Sequence, residues 1–248
     1  MQIIPLSEGT FTIDKTKIFV PFNEGQDDLQ QRPIGSLLVE VQPFVLVGEK
    51  DIILIDAGLG FLKNGELQLY HNLAKHGIQP HHITKVLVSH LHKDHAGGLT
   101  RKDYLGNYHL SFPHAVYYLQ QKELEFAMDT GFPSYMSEEI SVLQSNSQVV
   151  LLNGDGEIDK YIHYKISGAH CPWHQVFWIE DENRRKIFFG GDEAPQLQQM
   201  KTKFIAKYDF DGKKSMGLRQ QWWHTGNADE WTFLFYHDIK KPCWKSNA

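Results

Sequence analysis

The chain has 248 residues, 41% of them hydrophobic, with 25 Lys and Arg against 30 Asp and Glu and a formal charge of −5. That is apolar material for an extensive core, and the acidic balance offers no basic footprint for nucleic acid or an anionic membrane. No apolar run approaches the ~20 residues that cross a bilayer, residues 1–9 lack the basic and apolar stretches of a secretory signal, and two cysteines, Cys171 and Cys243, make no disulfide framework; a reducing cytoplasm is the expected compartment.

Residues 1–20 alternate apolar and polar and read as early strands. Residues 21–33 are polar and read as a long loop. Residues 37–41 and 44–47 read as strands, and 48–51 as a hairpin turn into 52–55, which ends at Asp56-Ala57-Gly58. Residues 67–76 have helical spacing, with Gly77 placed to stop them. Residues 85–89 are a short β-branched run and read as a buried strand. It ends in His90-Leu91-His92-Lys93-Asp94-His95, followed by Gly97-Gly98. A loop comes next, then a strand at 115–118, a helix at 120–128, an irregular stretch at 132–136 and a helix at 138–143. Residues 149–190 look all-β, with strands at 149–152, 161–166, 175–179 and 187–189. Residues 213–223 read as a helix and 231–236 as the last strand, ending at His237-Asp238. No linker, repeat or low-complexity segment interrupts the chain, so a single domain over 1–248 is expected.

The segment from His90 to His95 puts four candidate metal ligands into six positions. In extended chain His90 and His92 project to the same side, and Asp94 and His95 follow where the strand should turn. Imidazole and carboxylate are donors that a borderline cation such as Zn²⁺ accepts. Taken alone, a His-x-His pair is more often surface or core, Asp56 would cap a turn before Gly58, and Asp192 would be a turn residue after Gly190-Gly191. The pattern lies in the repetition. Five apolar runs end in His or Asp, at Asp56, His90, His170, Asp192 and His237. Strand ends on one edge meet in a single cleft, where distant residues assemble one site.

These residues carry a resemblance. His90-Leu91-His92-Lys93-Asp94-His95 is similar to the H-x-H-x-D-H signature of the metallo-β-lactamase superfamily. Ile53-Leu54-Ile55-Asp56-Ala57-Gly58 resembles its upstream L-I-D-x-G element, and Gly168-Ala169-His170-Cys171-Pro172-Trp173-His174 its G-H-T-P-G-H segment. Gly190-Gly191-Asp192 and Tyr236-His237-Asp238 resemble its strand-ending aspartate and final histidine. The resemblance implies an α/β fold, a four-layer αβ/βα sandwich of two mixed sheets flanked by helices. It implies two divalent ions, zinc first, with manganese or iron as alternatives. His90, His92 and His170 would hold one, Asp94, His95 and His237 the other, and Asp192 would bridge them. Asp56 would accept a ring N–H from a ligand histidine, and His174 would stabilise its loop. A hydroxide between the ions would attack an ester, lactone or related bond of a small molecule, with Asp94 orienting the nucleophile and shuttling a proton.

Within that superfamily the residues narrow the branch. Flavodiiron proteins carry Glu where His92 stands. Glyoxalase II adds a helical region, whereas this chain ends eleven residues after His237. Nucleases want basic surfaces, and class B β-lactamases lack the complete ligand set. Gly191-Asp192-Glu193-Ala194-Pro195 and Phe112-Pro113-His114-Ala115-Val116-Tyr117-Tyr118 resemble the lactonase and organophosphate-hydrolase-like branch. In one respect they depart from it: some acyl-homoserine lactonases carry a tyrosine shortly after the bridging aspartate, and here Glu193-Ala194-Pro195 follows. The alternatives are a mononuclear iron persulfide dioxygenase using His90, His92, His170 and Asp192, a glyoxalase II-like thioesterase, and a metal-stabilised binding protein without turnover. Cys171 adjoins a candidate ligand. Phe126, Met128, Phe132, Tyr135, Met136, Trp222 and Trp223 would line an apolar substrate pocket, the alternatives being core packing or an oligomer contact such as a homodimer interface. The loops at 21–33, 126–136 and 195–223 are where substrate choice is expected to lie.

Overall fold

The computed structural model describes residues 1–246. Two six-stranded mixed sheets form its centre. In the first, the order is Gln2–Pro5, Phe44–Val47, Ile52–Ile55, Lys85–Leu87, Val116–Gln120, Val149–Leu152. Its first two pairings are antiparallel and the remaining three parallel. In the second, Gly156–Ile158, Ile162–Ile166, Gln175–Glu180 and Lys186–Phe189 run as an antiparallel meander. Thr232–Leu234 then joins Lys186–Phe189 in parallel, and Cys243–Lys245 closes the edge. A three-stranded sheet of Phe19–Pro21, Gly9–Ile13 and Leu37–Val41 stands beside them.

The layering follows from the period-two alternation of strand side chains. Ile53 and Ile55 face inward to a core shared with Phe177, Ile179, Ile187 and Phe189 of the other sheet. Leu54 points the other way, into a core shared with the helix residues Leu69, Leu73, Leu124 and Ala127. On the second sheet, Phe188 and Phe233 turn outward to Trp222, on the helix Gly212–Ala228. Helix, sheet, sheet and helix therefore stack in four layers, as the resemblance implies.

Most elements lie where the sequence places them, with informative differences. The loop expected after Gly98 contains a hairpin, Thr100–Lys102 with Tyr108–Leu110. The loop at 21–33 carries a 3₁₀ turn, Leu29–Gln31, capped by Asp28. Residues 138–143 split into a short helix, Ser137–Ile140, and a 3₁₀ turn, Ser141–Gln144. The helix expected at 213–223 runs on to Ala228. The strand expected at 85–89 ends at Leu87, and Asp94 and His95 lie in a one-turn helix, Lys93–Ala96. The last expected strand is shorter, Thr232–Leu234: Phe235 still packs in the outer core, the chain turns at Tyr236, whose ring stacks on His95, and another strand follows. No helix among the described residues is long and apolar enough to cross a membrane.

Candidate metal centre

The five strand ends converge. Ile52–Ile55, Lys85–Leu87, Ile162–Ile166, Lys186–Phe189 and Thr232–Leu234 deliver Asp56, His90, His170, Asp192 and His237 to one edge of the sandwich. The one-turn helix adds Asp94 and His95. Gly97 and Gly98 let that helix press against the loop after Asp56. A Cβ on Gly97 would lie 2.3 Å from the Leu59 carbonyl oxygen, and one on Gly98 2.2 Å from that of Ala57. The backbone N–H of Ala57 donates to the His95 carbonyl at 2.7 Å, tying the two segments together.

Two groups of donor atoms result, each within 4.8 Å: His90, His92, His170 and Asp192, and Asp94, His95 and His237. In the first, Nε2 of His90 and Nε2 of His170 lie 2.9 and 3.1 Å from Nδ1 of His92. In the second, Oδ2 of Asp94 lies 3.8 Å from Nε2 of His95 and 3.4 Å from Nε2 of His237. Asp192 faces both. Its Oδ1 is 3.1 Å from His95 Nε2 and 3.0 Å from His237 Nε2, while its Oδ2 is 3.2 Å from His170 Nε2.

The outward nitrogens of four histidines are held. His95 Nδ1 meets Asp56 Oδ2 at 2.7 Å, His170 Nδ1 meets Asp209 Oδ1 at 3.0 Å, and His237 Nδ1 meets the Glu40 carbonyl at 2.6 Å. His90 Nδ1 meets Ser89 Oγ at 3.0 Å, and that hydroxyl donates to Asp56 Oδ2. Each of these partners takes an N–H, which leaves the Nε2 lone pair directed inward. Asp56 serves two histidines and adopts φ 53°, a strained backbone for a residue other than glycine.

His174 is not aimed inward. Its Nε2 accepts the N–H of Asp192 at 3.2 Å and its Nδ1 lies 2.9 Å from Ser167 Oγ, so it braces the backbone that carries Asp192. The ring stands close behind Gly191, where a Cβ would come within 2.6 Å of it. Glu193 is fully buried, and its Oε1 accepts the N–H groups of Ala169 and His170. Arg219, also buried, donates to the Glu193 and Phe204 carbonyls and to Ser215 Oγ. Ser89, Asp209, Glu193, Arg219 and the Glu40 carbonyl were not singled out as supports by sequence reasoning. Only Glu193, inside the segment Gly191 to Pro195 that carries the resemblance, offered any signal.

Charge and unmet hydrogen bonding bear on whether a cation fits. His95 Nε2 and Asp192 Oδ1 are buried without a hydrogen-bond partner. Burial alone disfavours charge on His95 and His237, yet the carboxylates of Asp192 and Asp94 outweigh it and hold both rings above the ordinary imidazole range. Burial and neighbouring histidines hold His90 and His92 well below it. The centre thus combines neutral lone pairs with carboxylates that call for positive charge. That donor set, all imidazole and carboxylate, fits divalent ions of the zinc class.

Cys171 is not a reactive thiolate. Burial pushes its thiol well above the usual range, and Sγ donates to Glu123 Oε2 at 3.5 Å. Glu123 in turn accepts the N–H of Leu91, between the two first histidines, at 2.9 Å.

Above the centre opens a cavity of about 800 Å³. His92, Asp94, His170, Asp192 and His237 form its floor. Its apolar walls come from Ile13, Phe19, Leu37, Val39, Phe204 and Ile205. The seven residues expected to line it do not. Trp222 is buried in the outer core with Trp223 packed against it, Phe126 and Met128 pack on the first sheet's core, Tyr135 lies behind His92 with ring centroids 4.9 Å apart, and Phe132 and Met136 are absent from the wall. Phe126, Met128, Trp222 and Trp223 are helix residues whose apolar face serves core packing, whereas Phe132 lies exposed outside any helix. Of the three loops expected to set substrate choice, 195–223 supplies Pro195, Gln196, Gln199, Phe204, Ile205, Lys207 and Tyr208, whereas 21–33 supplies none, its place being taken by the strands on either side of it. Of residues 126–136 only Ser134 reaches the wall. A tyrosine, Tyr208, does border the cavity. It comes from a later loop, and its ring centroid lies 6.0 Å from that of His170.

A four-layer sandwich with a buried cluster of imidazoles and carboxylates at its strand ends is the arrangement of a metal-dependent enzyme. The family model of the metallo-beta-lactamase superfamily matches residues 39–224, and the chain belongs to that superfamily as one of its metal-dependent hydrolases. Among curated relatives it is similar to the N-acyl homoserine lactonase of Bacillus thuringiensis, 22% identical over 228 residues, covering 84% of this chain and 85% of the relative. Among solved structures it resembles a probable metal-dependent hydrolase from Staphylococcus aureus, with a TM-score of 0.79 at 23% identity over 98% of this chain and 91% of that one. It also resembles the dizinc quorum-quenching lactonase AidC, solved with the product N-hexanoyl-L-homoserine, with a TM-score of 0.71 at 16% identity over 97% and 88%. The likeness falls on the lactonase-like branch.

Proposed function

We propose that the chain, acting as one hydrolase domain, cleaves an ester or lactone of a small molecule at a two-metal centre. His90, His92 and His170 would hold one ion, Asp94, His95 and His237 the other, and Asp192 would lie between them. The observation that supports this most directly is the orientation of Asp192, whose two oxygens face different histidine groups. Zinc-class ions held there would supply Lewis acidity, taking the pKa of water from ~15.7 to about 7 and polarising the scissile carbonyl.

The chain's own residues do the rest. Asp94 borders the cavity floor and is placed to orient the attacking water and take its proton. As the water oxygen bonds to the carbonyl carbon and the carbon–oxygen bond breaks, Asp94 returns that proton to the leaving oxygen. An ester yields acid and alcohol, a lactone one hydroxy acid. Tyr208 borders the cavity, and burial pushes its phenol up to about 12, so it stays protonated as a hydrogen-bond donor to the substrate carbonyl. The apolar walls take the acyl arm.

The test is a zinc-loaded preparation against a panel of lactones, aryl esters, phosphotriesters and acyl-glutathiones. Turnover of lactones or esters, lost in Asp94→Asn and His92→Ala, is the expected result. Intact turnover in both variants would overturn the mechanism. The persulfide dioxygenase reading leaves the buried group of Asp94, His95 and His237 without a role.

A further inference from the structure

The cavity wall has a charge of its own. Lys15, Lys17, Lys93 and Lys207 line it, against one carboxylate above the floor, Asp14. The chain as a whole carries net charge −5, so this local excess runs against the background. Among the described residues none of the four lysines has a carboxylate within ion-pairing distance. Asp14 is committed elsewhere, its carboxylate accepting the N–H and hydroxyl of Thr16.

Two of the four are built into position. Lys17 has φ 60°, in the left-handed region. It ends the turn that Asp14 holds, its N–H donating to the Asp14 carbonyl at 3.0 Å. Its side chain is half-buried and stands on the cavity wall. Lys93 opens the one-turn helix that carries Asp94 and His95, and its N–H is fixed by the Ser134 carbonyl at 2.9 Å. Its Nζ lies 5.9 Å from the Phe19 ring centroid and 6.0 Å from that of Phe132, with no hydrogen-bond acceptor among the described residues. Asp94 and Glu139 act on Lys93 from beyond pairing distance, and partly shielded cations left without an ion-pair partner on a cavity wall attract an anionic ligand.

We propose that Lys17 and Lys93 form an anion subsite, and that the natural ester or lactone carries a carboxylate on its apolar arm, away from the scissile bond. This rests on the hydrolase reading above and names the substrate class for it. The apolar wall takes the arm, the lysines take its charged end, and the floor takes the carbonyl.

Matched chromogenic esters test it: the 4-nitrophenyl half-esters of adipic and suberic acid against 4-nitrophenyl hexanoate and octanoate. The zinc-loaded enzyme is expected to prefer the charged ester by about tenfold or more in kcat/KM, mainly through KM, with the preference shrinking as salt rises from about 50 to about 500 mM. Lys17→Gln with Lys93→Gln should bring the ratio near unity, and Lys17→Glu with Lys93→Glu should invert it. A wild-type ratio at or below one, or a ratio that these variants do not move, overturns the subsite while leaving ester hydrolysis standing. If no ester is turned over, the hydrolase reading fails first. Calorimetric titration of adipate and suberate into the metal-free protein then decides the subsite separately. Binding that exceeds that of hexanoate and vanishes in the double glutamate variant supports it, and equal binding overturns it.

Discussion

Oδ2 of Asp56 lies 2.7 Å from Nδ1 of His95, and both side chains are fully buried. The same carboxylate accepts the Ser89 hydroxyl that meets His90, so one strained residue sets the ring orientation of a histidine in each donor group. Asp56→Asn keeps the shape and removes the charge. Its amide is expected to disturb both tautomers and weaken metal retention by about 10- to 100-fold, with a matching loss of kcat/KM. Competition with a chromogenic zinc chelator reads the first effect independently of turnover. Retention equal to wild type would remove Asp56 from the account.

Tyr208 stands in the cavity wall beside His170. Tyr208→Phe removes only the hydroxyl. Loss of one donor to a developing oxyanion commonly costs about 10²–10³ in kcat, and a drop of at least tenfold in kcat with little change in KM is expected. A change confined to KM would make Tyr208 a wall residue and nothing more.

Glu123 holds the backbone between His90 and His92 from a buried position, and burial raises its carboxyl from 4.5 to about 7, against the Leu91 N–H that favours its charged form. A raised carboxylate pKa has a definite sign. Below pH 4.5 the group is protonated in folded and unfolded chains alike. As pH climbs to 7 the unfolded chain ionises first, so stability is lost over that window, on the order of 3 kcal/mol. Glu123→Gln cannot ionise and still accepts from Leu91. Urea melts should show the variant gaining on wild type between pH 5 and pH 8. A constant difference across that range would contradict the assignment.

Much of the centre was legible because its donors are chemically rare and stand at the ends of apolar runs. His90, His92, Asp94, His95, His170, Asp192 and His237 meet as the spacing and the resemblance implied. Asp56 was legible only through the resemblance, since an aspartate that ends a strand before a glycine reads by itself as a turn cap. The supports were harder to read. The His237 partner is a backbone carbonyl, which Glu40 would offer with any side chain. Glu193 and Arg219 work through backbone groups of distant loops, and no local pattern marks that. The hairpin of Thr100–Lys102 and Tyr108–Leu110 is short and largely polar, too brief for alternation to show. The aromatic residues assigned to the pocket failed for the opposite reason: core and cavity wall draw on the same residue types, and only the packing separates them.

The pairing of donor groups across Asp192 is the claim on which the rest depends. Elemental analysis of the natively expressed protein, set beside zinc titration of a metal-free preparation followed by activity, tests it most directly. The account predicts close to two metals per chain, mostly zinc, with hydrolysis appearing as the sites fill, and about one in Asp192→Asn. A single iron per chain, with oxygen uptake on a persulfide and no gain from zinc, would contradict it.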